Sequence, residues 1–82
     1  MNDQDLQSAI HDLDVTVRVG KGGIGSVIDE VDEQLRHHDL VKIKLLRSAR
    51  GSNEPDDVFG ELADAVDAEV VDVRGFTGVI GR

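Results

Sequence analysis

Val15-Thr16-Val17-Arg18-Val19-Gly20-Lys21-Gly22-Gly23-Ile24-Gly25-Ser26 is the stretch that decides the fold. Val15, Val17 and Val19 alternate with Thr16 and Arg18, the period of a half-buried strand with Arg18 on its open face. Glycines then interrupt the chain, and from Ser26 to His38 the period changes. Val27, Ile28, Val31 and Leu35 form one apolar stripe, with Asp29, Glu30, Asp32, Glu33 and Arg36 toward water, which predicts a helix. Ser26, with Asp29 three residues on, predicts a capping box at its start. Alternation returns from Leu40 to Leu46, where Val41, Ile43 and Leu45 face the core and Lys42 and Lys44 share the opposite face. Strand, helix and strand in this order predict a parallel pair with a right-handed crossover, so helices are expected to cover the sheet.

Residues 4 to 13, with Leu6, Ile10 and Leu13 at helical spacing, read as a short amphipathic helix ahead of this unit. Beyond it, Arg47 to Asn53 has turn chemistry and no period, and reads as a loop. Pro55 suits the first turn of a third helix, with Ser52 or Asn53 as candidate caps and Val58, Phe59, Leu62, Ala63 and Val66 as its buried face. Gly60 weakens that helix by about 1 kcal/mol relative to alanine, and close packing is its expected reason. Glu69 to Arg74 alternates through Val71 and Val73, Gly75-Phe76 reads as a tight turn, and Thr77 to Gly81 reads as a last strand. The order is αβαβαββ. It predicts an α/β chain of the α+β sandwich kind, a small mixed sheet of four strands with helices, in one domain over residues 1–82.

Composition narrows the function. The chain has no cysteine, which removes disulfides, thiolate metal sites and thiol catalysis. Two phenylalanines are its only aromatic residues, so aromatic stacking is not its main binding device. No apolar run reaches the eighteen or so residues of a membrane span, and Met1 to Asp5 lacks the basic-then-apolar order of a signal peptide, so a cytoplasmic location is expected. Asp and Glu number 17 against 9 Lys and Arg, a net charge of −8, which at first sight argues against nucleic acid. The distribution argues the other way. Acids crowd Asp3 to Asp14, Asp29 to Glu33 and Glu54 to Asp72, whereas Arg18, Lys21, Lys42, Lys44, Arg47 and Arg50 fall in and around the two strands that flank the glycines. Pervasive acidity also matches the surface of a protein from a salty cytoplasm, although ordinary acidic variation gives the same numbers.

The glycine loop is the candidate site. Gly20, Gly22 and Gly23 permit close backbone approach, a helix entrance offers unpaired N–H donors, and Lys21 adds a full charge, a combination suited to phosphate. Lys42 and Lys44 would extend that basic surface beside Arg18, with Arg47 and Arg50 closing over a backbone from the following loop. Gly20, Gly22 and Gly25 also satisfy the G-x-G-x-x-G pattern of a dinucleotide site, but no acid ends the second strand. His37 and His38 read as helix-ending residues, and His11 has no spacing that would complete a metal site with them. Phe59 reads as core, and Phe76 as a plug at the sheet edge in preference to a base-stacking residue. No nucleophile is paired with a base, so neither catalysis nor a cofactor is expected.

The segments Val19 to Ile24 and Glu33 to Lys44, the second with its double histidine, acid, two apolar residues and Lys-x-Lys, resemble the CRM domain, the RNA-binding module of the YhbY family. The resemblance extends through Val70 to Gly75 and on to Arg82. It implies a mixed sheet with helices similar to the C-terminal domain of translation initiation factor three, and a glycine loop similar to the GXXG clamp of KH domains. Members bind structured RNA; stand-alone ones are associated with maturation of the large ribosomal subunit, and multidomain plant ones with intron splicing. The chain departs from the family at its acidic first helix, at Phe76, where a basic residue is usual, and at Gly81, where an aromatic is common. The expectation is therefore a monomeric, non-enzymatic binder of ribosomal RNA. Its rivals are an acidic module docking on ribosomal or assembly proteins and a small nucleotide-binding domain.

Overall fold

Each predicted element is present in the computed structural model, which describes residues 3–49 and 54–82. The order is α1 (Asp3–Asp12), β1 (Val15–Val19), α2 (Ile28–Leu35), β2 (Leu40–Leu45), α3 (Pro55–Ala65), β3 (Glu69–Arg74) and β4 (Thr77–Gly81), with 3-10 turns at Ile24–Ser26 and Arg47–Ala49. The strands form one sheet in the order β1-β2-β4-β3; β1 and β2 are parallel and the other pairs antiparallel. A single parallel pair provides no crevice of the doubly wound kind, which removes the fold basis of the dinucleotide reading.

The inner face carries Val17, Val19, Val41, Ile43, Leu45 and Ile80, buried beneath Val27, Val31 and Leu35 of the α2 segment and Phe59, Leu62, Ala63 and Val66 of the α3 segment. Alternation alone places Val15 on that face, and the structure does not. The register shifts between Val15 and Val17, so Val15 stands opposite Lys42 while Val17 stands opposite Ile43. The extra residue, Thr16, is a bulge, and it turns Val15 to the outer face. A second shift between Val70 and Asp72 splits the expected pair in β3. Val73 packs against the core, and a methyl of Val71 lies beside Gly81.

Three local expectations need correction. Helix α2 starts later than predicted because a 3-10 turn occupies Ile24–Ser26; its cap is Val27, without a side-chain bond. The Ser26 hydroxyl instead donates to the Gly23 carbonyl at 2.7 Å, so the capping box does not form. Pro55 opens α3 as expected with Glu54 at the cap position, while Ser52 and Asn53 lie outside the described residues. Nothing lies within 4 Å of a side-chain carbon built on Gly60, so packing is not the reason for that glycine. Gly60→Ala is accordingly expected to raise stability by about 0.5–1 kcal/mol, read as a higher denaturant midpoint. An unchanged or lower midpoint would show that the helix needs glycine there.

Arg82 fastens the end of β4 to the helical layer. Its guanidinium donates to the Val66 carbonyl from Nη2 at 2.8 Å and from Nε at 3.2 Å, and pairs with the Asp32 carboxylate. The hydrogen bond from Arg82 holds the Asp32 carboxyl below its ordinary pKa, helped by the charges of Arg82 and Arg36 and opposed by desolvation. A depressed carboxyl contributes stability above its unfolded pKa and loses it as pH falls through its folded pKa. Asp32→Asn should therefore unfold at lower urea than the parent at neutral pH, with the gap closing on acidification below the carboxylate range. A gap that stays constant with pH would contradict this linkage.

Candidate functional site

The glycine loop is built around a tight turn in which the Gly23 N–H donates to the Gly20 carbonyl at 2.9 Å. Gly23 has φ 71° and ψ −173°, a conformation open essentially to glycine alone. Gly22 is held for a different reason: a side-chain carbon there would lie 3.0 Å from Cβ of Ser26. Gly20 needs neither exemption, since a carbon on it would make ordinary contact with the Ser48 hydroxyl at 3.6 Å. Among the described residues the N–H groups of Lys21, Gly22, Ile24 and Gly25 enter none of the loop's backbone hydrogen bonds, and Lys21 is exposed.

The helix contributes less to this loop than the sequence suggests. The 3-10 turn separates Gly23 from α2, and the first turn of α2 carries Asp29 and Glu30. Those carboxylates satisfy the positive end of the helix and oppose a second anion. An anion at the loop is left with the amides, Lys21 and the cations of the neighbouring strands.

Sheet register assembles those cations. Arg18 pairs with Lys44, Lys44 with Thr77, and Thr77 with Arg74, so one row crosses all four strands. Neighbouring strands are about 4.8 Å apart, which places Lys44 one strand from Arg18 and two from Arg74. All three cations are exposed, and the residues that flank Arg18 in β1 and Lys44 in β2 face the core. The row lies at the end of the sheet where β1 leads into the glycine loop. Arg47 comes to the same end, its 3-10 turn abutting Gly20 through Ser48 and its backbone tied by the Leu46 N–H to the Val19 carbonyl at 2.8 Å. Arg50 lies outside the described residues.

Lys42 differs from Lys44. It is half-buried, and its ammonium donates to the Ile10 carbonyl at 3.3 Å, near the C-terminus of α1. This contact suits the negative end of a helix and fixes α1 against the outer sheet face. Arg74 joins the cationic row, where spacing along the chain does not place it. The signal was present in the Gly75-Phe76 turn, because a two-residue hairpin sets Arg74 opposite Thr77 and hence on the face of Lys44. Arg74 also pairs with Asp72 at 3.2 Å. Phe76, at the sheet edge, is 40% exposed. Its carbonyl accepts the Leu45 N–H at 2.8 Å, tying this turn to the same end of the sheet.

The acids of α2 and α3 occupy a different region, while Asp72 stands among the cations. Asp29, Glu30 and Glu33 of α2 and Asp56, Asp57, Glu61 and Asp64 of α3 are all exposed on the helical layer. His37 sits just past α2 and faces Glu33 at 3.2 Å, and its N–H, like that of His38, donates to the Gln34 carbonyl. Among the described residues no group of three or more His, Cys, Asp or Glu could hold a metal ion. Among them, too, no helix is long and apolar enough to cross a membrane.

Residues 2–82 match the CRS1/YhbY (CRM) domain family. A Methanocaldococcus jannaschii relative, named "Probable RNA-binding protein MJ0652", is 41% identical over 70 residues, covering 85% of this chain and 52% of that protein. The chain thus spans about half the length of that relative. The solution structure of SAV1595 from Staphylococcus aureus, described as a hypothetical protein and an RNA-binding candidate, aligns with a TM-score of 0.76 at 30% identity. That alignment covers 96% of this chain and 81% of the other.

Proposed function

The chain belongs to the CRS1/YhbY (CRM) domain family, and from that premise we propose that it binds the sugar-phosphate backbone of ribosomal RNA during large-subunit maturation. The observation that carries this reading is the row of Arg18, Lys44 and Arg74 beside the glycine loop, on a chain whose net charge is −8. An acidic protein that concentrates cations at one end of one sheet face has a local potential opposite to its net charge. In this reading Gly22 and Gly23 let the backbone approach a phosphate, the amides of Lys21 and Gly22 donate to it, and Lys21 neutralises it. Arg18, Lys44 and Arg47 extend the track, and Lys42 supports it by holding α1. Contacts of this kind position an RNA without reading its sequence, so shape and backbone dominate recognition.

Co-sedimentation of the tagged chain with ribosomal particles from its own cells, with and without RNase, tests the reading. Enrichment on immature large-subunit particles that RNase removes is expected. Absence from those particles, while the purified chain still binds RNA, would assign it a different RNA.

A further inference from the structure

A cleft of about 320 Å³ opens between the end of α1 and the outer face of the sheet. Its floor is apolar: Ile10 and Val79 are 4% and 2% exposed, and Val15 lies beside them. Its rim carries Lys44, Arg74, Asp72 and Thr77. One bulge of the sheet serves this cleft. It turns Val15 outward and sets it opposite Lys42, while the unbroken hairpin register from Arg74 and Thr77 sets Asp72 opposite Val79, so one row reads Val15, Lys42, Val79, Asp72. Bulges commonly re-aim side chains beside sites, and here the one in β1 brings an apolar residue into the hollow that the hairpin lines with a carboxylate. The adjacent row is the cationic one.

The chemistry selects the occupant. An apolar floor accepts the flat face of a ring, a carboxylate accepts hydrogen bonds from an exocyclic amino group, and Lys44 and Arg74 attract a phosphate. The volume lies at the small end of ligand sites, about 300–1,000 Å³, which suits one nucleotide rather than a stacked run. We propose that this cleft receives a single unpaired nucleotide of the bound RNA. Its base lies over Val15, Ile10 and Val79 with its amino group toward Asp72, and its phosphate meets Lys44 and Arg74. The proposal rests on the RNA reading above and adds to it a preference for an extruded base with an exocyclic amino group over uridine.

The test compares a hairpin carrying one bulged adenosine with the same hairpin fully paired. The full chain should bind the bulged form about tenfold more tightly, the scale of one base recognised by hydrogen bonding. Val79→Met, which fills the floor, should lose that preference and keep its affinity for the paired hairpin, whereas Lys21→Asp should weaken both. Equal binding of the two hairpins by the parent chain, or a preference that survives Val79→Met, would overturn the proposal. If Val79→Met does not fold, amide shifts of the parent chain decide: shifts at Val15, Thr77 and Val79 on adding the bulged hairpin support it, and shifts confined to residues 20–27 overturn it. Adenosine 5′-monophosphate binding more tightly than the bulged hairpin would make a free nucleotide the occupant and also overturn it. Failure to bind either hairpin would be a separate result, removing the RNA reading and this proposal together.

Discussion

Lys21→Asp combined with Gly22→Asp should lower RNA affinity by at least about a hundredfold while leaving the chain folded. Hydrogen bonds to charged groups contribute roughly 1.5–3 kcal/mol each, and 1.4 kcal/mol is a factor of ten, so losing the lysine and one close amide approach suffices. Two carboxylates at the same position add repulsion to that loss. The Gly22 substitution also presses on Ser26, whose Cβ would lie 3.0 Å from the new carbon, so Ser26 must give by a few tenths of an ångström. Because Lys21 and Gly22 are exposed and outside the core, the fold should survive. The salt dependence of the parent provides a second readout. About four basic residues on single-stranded phosphates give a slope of log affinity against log salt of roughly −3, and the variant should be shallower. A protein-docking module acting through the acidic surfaces of α2 and α3 predicts that the variant binds its partner unchanged.

Gly78→Ala should destabilise the chain by about 1–3 kcal/mol through overpacking, and a β-branched residue there should prevent folding. A carbon on Gly78 would lie 2.7 Å from two atoms of the Phe59 ring, which is fully buried under α3 and cannot swing away. An 82-residue chain has only about 4–12 kcal/mol of stability at the usual 0.05–0.15 per residue, so the loss is large. Phe59→Leu is costly alone, yet combined with Gly78→Ala it should relieve the clash, and the double variant should be more stable than the sum of the single effects. Strict additivity in urea denaturation would show that the glycine and the ring do not constrain each other.

Much of this architecture can be read from local pattern, and the exceptions share a cause. Period-two alternation located β1 and β2 because each has one face in the core, and the stripe from Val27 to Leu35 located α2 for the same reason. Val15 and Val71 misled because a bulge depends on pairing with another strand, which no local pattern records. Ser26 misled because a 3-10 turn took up residues that fit a cap equally well. At the site, Lys21 and Lys44 were legible from loop and strand chemistry. Lys42 shares the spacing of Lys44 but is committed to the end of α1, a contact 32 residues away in sequence. Arg74 entered the cationic row through hairpin register, and the cleft beside it gains Val15 only through the bulge in β1.

Ultraviolet crosslinking of the full chain to a ribosomal RNA fragment, followed by mapping of the modified peptides, tests most directly where RNA is held. Adducts are expected in the segments 18–24 and 42–47, with their loss in the Lys21→Asp, Gly22→Asp variant. Adducts confined to residues 28–36 or 55–66, on the acidic helical layer, would contradict an RNA site at the glycine loop.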